Sequence, residues 1–313
     1  MMTKLTRVRV LFAGSPHVAV PTLQALVDAN SELVGVLTQP AQPVGRKRVL
    51  TATPVEDCAR KNDIPVFTPR SSAEVLDAVK QCVPDAVIVV AYGRLLDQDC
   101  LDAVPEGWWN IHFSLLPRWR GAAPVPHAIR NGDSETGLTL FRIDSGLDTG
   151  DIAMTRSHRI DADDTTGTLL AKLAERAPEM ALELVSKLAS HEVELAPQSG
   201  EASYAPKPDP DSGAMGWSAT GHKVYGQFRS VTPEPGAYGL RDDTGDRVKI
   251  LAMHAEKTDQ LLAPGAIMDS PGGVLVGTGT YPLVVDVVQP AGKKPMEAKD
   301  WLRGLAPGVG FHA

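Results

Sequence analysis

Val8-Arg9-Val10-Leu11-Phe12-Ala13-Gly14-Ser15-Pro16, with the apolar spacing of residues 21–29 behind it, sets the fold class. The apolar run has the length of a buried strand, Gly-Ser-Pro breaks it, and the next segment recurs at helical spacing. Strand, tight turn and helix in that order open an α/β fold. Working outward, residues 33–38, 85–91, 109–111, 137–143 and 152–155 read as further strands, and residues 55–61, 74–81 and 168–188 carry helical patterns. The alternation predicts a mostly parallel sheet flanked by helices.

This is a Rossmann-like arrangement with helices on both faces, yet Gly14 is followed by Ser15, Pro16, His17, Val18 and Ala19. The Gly-x-Gly-x-x-Gly fingerprint is missing, which disfavours nicotinamide chemistry. Residues 196–213 are rich in Pro, Gly, Ser and Asp, including Ala205-Pro206-Lys207-Pro208-Asp209-Pro210, a composition that favours an extended linker. Short β-rich runs at 248–252, 273–276 and 283–288 then predict a small OB-like β-barrel. The expected organisation is a first domain over 1–195, a linker over 196–212 and a barrel over 213–313.

Hydrophobic residues make up 43% and charged residues 22% of the chain, as in ordinary globular proteins. A net charge of -7 excludes a general nucleic-acid coat. From Lys207 onward, however, eleven Lys and Arg nearly balance twelve Asp and Glu, so any RNA contact must be local. Cys58, Cys82 and Cys100 form no Cys-x-x-Cys pair and lack a neighbouring His, which argues against a disulfide framework and against a metal site. The longest apolar run, 86–92, is far below the ~20 residues of a membrane span. Near the start only 10–13 is apolar, short of the roughly 7–15 residues of a leader's core, so the expected location is the cytoplasm.

The chemistry concentrates in Trp108-Trp109-Asn110-Ile111-His112-Phe113-Ser114-Leu115-Leu116-Pro117-Arg118-Trp119-Arg120-Gly121-Ala122-Ala123-Pro124 and in Gly146-Leu147-Asp148-Thr149-Gly150-Asp151. In a strand, alternate side chains share a face, so Asn110 and His112 point one way and Ile111 the other. In open sheets ligands bind beyond the carboxyl ends of strands, where this strand would end. An amide donor, an imidazole and Asp148 as third partner suit acyl-type chemistry at a carbonyl. When an amine attacks such a carbon, negative charge develops on its oxygen, and a preorganised donor there is worth ~3 kcal/mol. The attacking amine must also lose a proton. A lone Asn-x-His is otherwise a structural pattern, and its company is what gives it meaning.

Ser114-Leu115-Leu116-Pro117 and Gly146-Leu147-Asp148-Thr149-Gly150-Asp151 closely resemble the formyltransferase family that uses 10-formyltetrahydrofolate. The resemblance runs from Phe12-Ala13-Gly14 through Thr38-Gln39-Pro40 and Ala91-Tyr92-Gly93 to Ala291-Gly292-Lys293-Lys294-Pro295-Met296. It is nearest to the members whose acceptor is the amino group of methionine on charged initiator tRNA. It implies catalytic roles for Asn110, His112 and Asp148, a folate site lined by Ser114, Leu115, Leu116 and Pro117, and no metal. By the same resemblance the loop 39–48, with Arg46, Lys47 and Arg48, reaches the tRNA acceptor end. Ala41-Gln42 departs there from the family's usual Asp-Arg. The expected state is a monomer.

Some segments have plainer readings. The loop 39–48 alone reads as a solvated basic turn, and Lys293-Lys294 as a charged one. With Lys207, Arg229 and Lys249 the latter pair would form a basic track. Trp108, Trp109 and Trp217 read as packing residues. A second Asp-Thr-Gly at Asp243-Thr244-Gly245 invites an aspartic-protease reading, but its neighbours Arg241, Asp242, Asp246 and Arg247 describe a solvated turn. Competing functions are a sugar-nucleotide N-formyltransferase and a formyltetrahydrofolate deformylase. Glycinamide ribonucleotide formyltransferase shares only the catalytic half, and a non-catalytic tRNA-binding protein would not need the trio.

Overall fold

In chain order the first strands and helices of the computed structural model, which describes residues 7–45, 48–256 and 258–313, alternate as the sequence predicts. They are β1 (Arg9–Gly14), α1 (Val20–Asp28), β2 (Glu32–Leu37), β3 (Gln42–Val44), β4 (Val49–Thr51), α2 (Pro54–Lys61), β5 (Val66–Phe67), α3 (Ser72–Cys82), β6 (Ala86–Val90), α4 (Gln98–Asp102) and β7 (Trp108–His112). Next come α5 (Pro124–Asn131), β8 (Glu135–Arg142), β9 (Ile152–Arg159) and α6 (Thr166–Ser190). Caps set several helix starts: Thr53, Ser71 and Asp97 accept from the backbone N–H of Glu56, Glu74 and Cys100.

One sheet carries the order β5-β2-β1-β6-β7-β8-β9, parallel from β5 through β7 and antiparallel at β7–β8 and β8–β9. Its central strands are apolar on both faces, as a covered parallel sheet requires: Val10, Leu11, Phe12 and Ala13 are buried, and so is all of β6. On one side Val75, Ala78 and Val79 of α3 pack with Leu11, Val87 and Trp108. Trp108 and Trp109 are packing residues, each donating its indole N–H to a main-chain carbonyl, of Cys100 and Glu106.

The chain divides into two compact units. The first takes residues up to Pro124 with Glu135–Arg159 and Leu170–Ala205, and the second takes Val125–Ser134, Ile160–Leu169 and Pro206–Ala313. Residues 196–205 are bonded into the first unit, through the bridges Ile152↔Ala196 and Arg120↔Tyr204. In the second unit α7 (Gly221–Ser230) precedes β10 (Tyr238–Leu240), β11 (Arg247–His254), β12 (Ile267–Ser270), β13 (Gly273–Val276), β14 (Leu283–Pro290), β15 (Met296–Glu297) and α8 (Ala298–Leu302). The antiparallel order is β10-β11-β14-β13-β12, with β15 on β14. Its core holds Trp217, Phe311 and Trp301 in a stack, with centroids 5.4 and 5.6 Å apart.

Sequence periodicity predicts no element at α5 or α7 and a plain loop over 39–48. That segment holds β3 and leads into β4, and the residues of both strands are exposed, so no buried face marks the hairpin. Within α7, Gly221 and Gly226 dilute helix propensity, and its helical pattern rests on Val224 and Phe228 reaching the core.

Candidate active site

β7 lies between β6 and β8, with Asn110 opposite Val89 on one side and Phe141 on the other, and His112 opposite Thr139. The strand's two-residue period puts Asn110 and His112 on one face while Ile111 is buried on the other. Phe141 meets the His112 ring edge-on at 6.5 Å.

Beyond His112 the chain turns back on itself. The carbonyl oxygen of Trp119, a residue with φ of +59°, lies 2.9 Å from His112 Nε2. A carbonyl can only accept, so Nε2 carries the hydrogen and in the neutral ring Nδ1 presents its lone pair. That lone pair faces Asp148 Oδ2 at 3.8 Å. The same Oδ2 accepts the Gly121 N–H at 2.7 Å. Gly121 has φ of +114°, and a Cβ there would stand 2.9 Å from the Ala205 carbonyl oxygen, so the donor's position demands glycine. Burial pushes the His112 pKa below the ordinary histidine value, opposed by the Asp148 carboxylate and the Trp119 carbonyl. Burial thus favours the neutral ring, and the Asp148 carboxylate beside it favours the charged one.

Asn110 is half-buried, and among the described residues its side-chain amide makes no hydrogen bond, which leaves a donor free on the His112 face. Ser114, Leu116 and Pro117 are buried and Leu115 is partly so. Their polar groups are spent internally: Ser114 Oγ donates to the Arg118 carbonyl at 2.6 Å, and Thr139 Oγ1 donates to the Ser114 carbonyl at 2.7 Å while accepting the Leu116 N–H at 3.1 Å. Those bonds fix the shape of the segment. Elsewhere on the sheet the motif pieces meet: Ser15 Oγ and the Gln39 amide both donate to the Tyr92 carbonyl, at 3.3 and 3.1 Å, where β1, β2 and β6 end.

Of the expected RNA-contacting residues, Arg46 and Lys47 lie outside the described residues. Arg48 is exposed at the tip of the β3–β4 hairpin, its N–H on the Gly45 carbonyl at 3.0 Å. Lys207, Lys293 and Lys294 are exposed in the second unit, and Lys249 lies opposite Gln289, whose amide caps the Lys293 carbonyl at 3.0 Å. Arg229 does not join them. It is buried, stacked on Tyr225 at 5.1 Å and bonded to the Asp164 carbonyl at 3.2 Å, because α7 turns it inward. Asp243 is clasped by Arg241 at 2.9 and 2.5 Å, a surface turn that removes the second carboxylate a protease dyad needs.

Sequence reasoning assigned no role to Trp119 and Gly121, although both stand in the quoted run, nor to Gln198 and Ser203, which bind the same loops. Only a backbone trace reveals a carbonyl or an N–H as a partner. Among the described residues no three His, Cys, Asp or Glu side chains are grouped to hold a metal ion, and no helix is long and apolar enough to cross a membrane.

Comparison with known proteins agrees with this geometry. Residues 6–185 match the family described as Formyl transferase, and residues 208–306 match Formyl transferase, C-terminal domain. A methionyl-tRNA formyltransferase from Arthrobacter sp. (strain FB24) is 43% identical over 297 residues, covering 95% of this chain and 96% of its own. One from Thermobifida fusca (strain YX) is 42% identical, covering 96% and 98%. Among solved structures, a HypX variant from Aquifex aeolicus aligns with a TM-score of 0.69 at 17% identity over 96% of this chain, which spans 49% of the HypX chain. The sugar 3N-formyl transferase WlaRD aligns at 0.67 and 17% over 92% of this chain and 99% of its own, a likeness of fold. Near-full-length identity to these relatives, with both family regions in order, means that the chain belongs to the formyltransferase family.

Proposed function

We propose that this chain transfers the formyl group of 10-formyltetrahydrofolate to the amino group of methionine on charged initiator tRNA. The near-full-length likeness to methionyl-tRNA formyltransferases supports the acceptor. For the chemistry, the observation that carries the reading is the buried His112 ring with Nε2 committed to Trp119 and Nδ1 left facing Asp148.

The residues present fit a formyl-bearing folate. Asn110 has an amide free to donate to the formyl oxygen as charge gathers there. His112 Nδ1 takes the proton that the attacking amine must lose and gives it to the folate nitrogen as the bond from that nitrogen to the formyl carbon breaks, and Asp148 stabilises the imidazolium between the two transfers. Ser114, Leu115, Leu116 and Pro117 wall the donor site, their shape fixed by the bonds to Thr139. Arg46, Lys47, Arg48, Lys207, Lys293 and Lys294 contact tRNA phosphates. In this reading the first unit, residues 196–205 included, is the catalytic domain, and the second unit is the OB-like tRNA-contacting domain. The reading takes the chain as a monomer in the cytoplasm.

The test is a formylation assay with 10-formyltetrahydrofolate and methionyl initiator tRNA, against methionyl elongator tRNA, an amino-sugar nucleotide and water. Formylation of initiator tRNA alone is expected. Equal transfer to the amino sugar, or formate release without acceptor, would reassign the chain to the corresponding branch of the family.

A further inference from the structure

Asp148 sits at φ of +52°, a left-handed value that few non-glycine residues adopt and Asp more readily than most. Hydrogen bonds hold the loop in that course. Gln198 Nε2 donates to the main-chain carbonyl of Asp148 at 2.8 Å and to that of Gly150 at 2.9 Å, spending both amide hydrogens on the loop that carries the carboxylate. Its Oε1 accepts Arg120 Nε at 3.2 Å and Nη2 at 2.6 Å. Arg120 stands between Trp119, whose carbonyl holds His112 Nε2, and Gly121, whose N–H holds Asp148 Oδ2. The same segment secures that loop further: Ser203 Oγ accepts the Trp119 N–H at 2.9 Å, and the Ser203 carbonyl accepts the Arg120 N–H at 2.8 Å.

We propose that Gln198 is a positioning residue for the reaction: its amide ties the Asp148 loop to the Trp119–Gly121 loop and thereby sets the approach of Asp148 to His112. The task needs two donors and an acceptor on one planar group at glutamine's reach. Glutamate would keep the acceptor but set an oxygen against two carbonyls, and methionine would keep the length and lose both functions. The residues 198–203 therefore act as a strap on the site, in a stretch whose composition reads as linker.

The role rests on the formyl-transfer reading, and the test separates the two. In Gln198→Met, kcat falls about 10- to 100-fold, as expected when a reacting geometry slips by about an ångström, while KM for donor and acceptor holds. NMR titration of ring-labelled His112 in the same variant shows its pKa lower than in the unsubstituted protein, because the carboxylate that raises it has moved away. Arg120→Met leaves the Gln198 donors in place and produces both changes in smaller measure, so it decides the matter if Gln198→Met does not fold. A lowered melting temperature with an unmoved His112 titration and unchanged kcat overturns the proposal and leaves Gln198 a purely structural residue. The titration reads the strap whether or not any acceptor is formylated, so a failed acceptor assay with a shifted titration sinks only the function.

Discussion

In the proposed mechanism His112 has one ring nitrogen for the fold and one for the chemistry. Nε2 is fixed by the Trp119 carbonyl, so the ring cannot flip without stranding a buried N–H, and Nδ1 stays aimed at Asp148. Burial lowers its pKa in the folded state, whereas in the unfolded chain it titrates near the ordinary ~6.5. As pH falls below that value the unfolded chain binds the proton first, so stability is full above it and is lost on the way down to the folded pKa. The urea midpoint should therefore decline below pH ~6.5 in the parent protein and decline less in His112→Ala, and parallel curves would refute the assignment. With His112 as the proposed base, His112→Ala should lose at least about 100-fold in kcat/KM with the fold intact. Transfer undiminished in the variant removes His112 from the mechanism. The shared face of Asn110 and His112 was legible because strand alternation fixes it, and Asp148 stood out by its short Gly146–Asp151 motif. Trp119 and Gly121 were not, since each acts through a main-chain atom whose direction comes from a positive φ.

At the scale of elements, the site stands on a tie between β8 and the segment that follows β7. Thr139 of β8 is fully buried, and its hydroxyl binds the Ser114 carbonyl and the Leu116 N–H beyond the end of β7. Thr139→Val keeps the volume but leaves both groups without a partner, which should cost about 1–3 kcal/mol of stability and loosen the Ser114–Pro117 wall. The readout is a denaturation midpoint shifted downward together with a raised KM for the folate donor at nearly unchanged kcat. An unchanged midpoint and KM would mean that the tie holds nothing. The same tie shows where sequence reading stops. β1, β2, β6, β8 and α6 were legible because their apolar periodicity is local. Thr139 and Ser114 meet across a turn of the chain, and nothing local to either residue announces the other. The β3–β4 hairpin escaped for the opposite reason, having no buried face to print a pattern.

For the whole molecule the question is how a chain of net charge -7 holds a polyanion. General attraction is excluded, so the contacts must be few and local, and Arg229, buried and stacked on Tyr225, is not one of them. The proposed contacts are the exposed lysines Lys207, Lys293 and Lys294, the last two on the turn after β14 with Lys249 close in the sheet register. Each phosphate neutralised releases counterions, so the logarithm of tRNA affinity falls with the logarithm of salt by roughly 0.7–0.9 per contact. Replacing Lys293 and Lys294 together by alanine should then flatten that slope by up to ~2 and raise KM for tRNA at low salt. Since neither lysine touches the reacting groups, kcat at saturating tRNA should stay as it was. A slope and KM equal to those of the parent would show that this turn lies off the RNA path, and a fall in kcat at saturation would show that these lysines do more than hold phosphates.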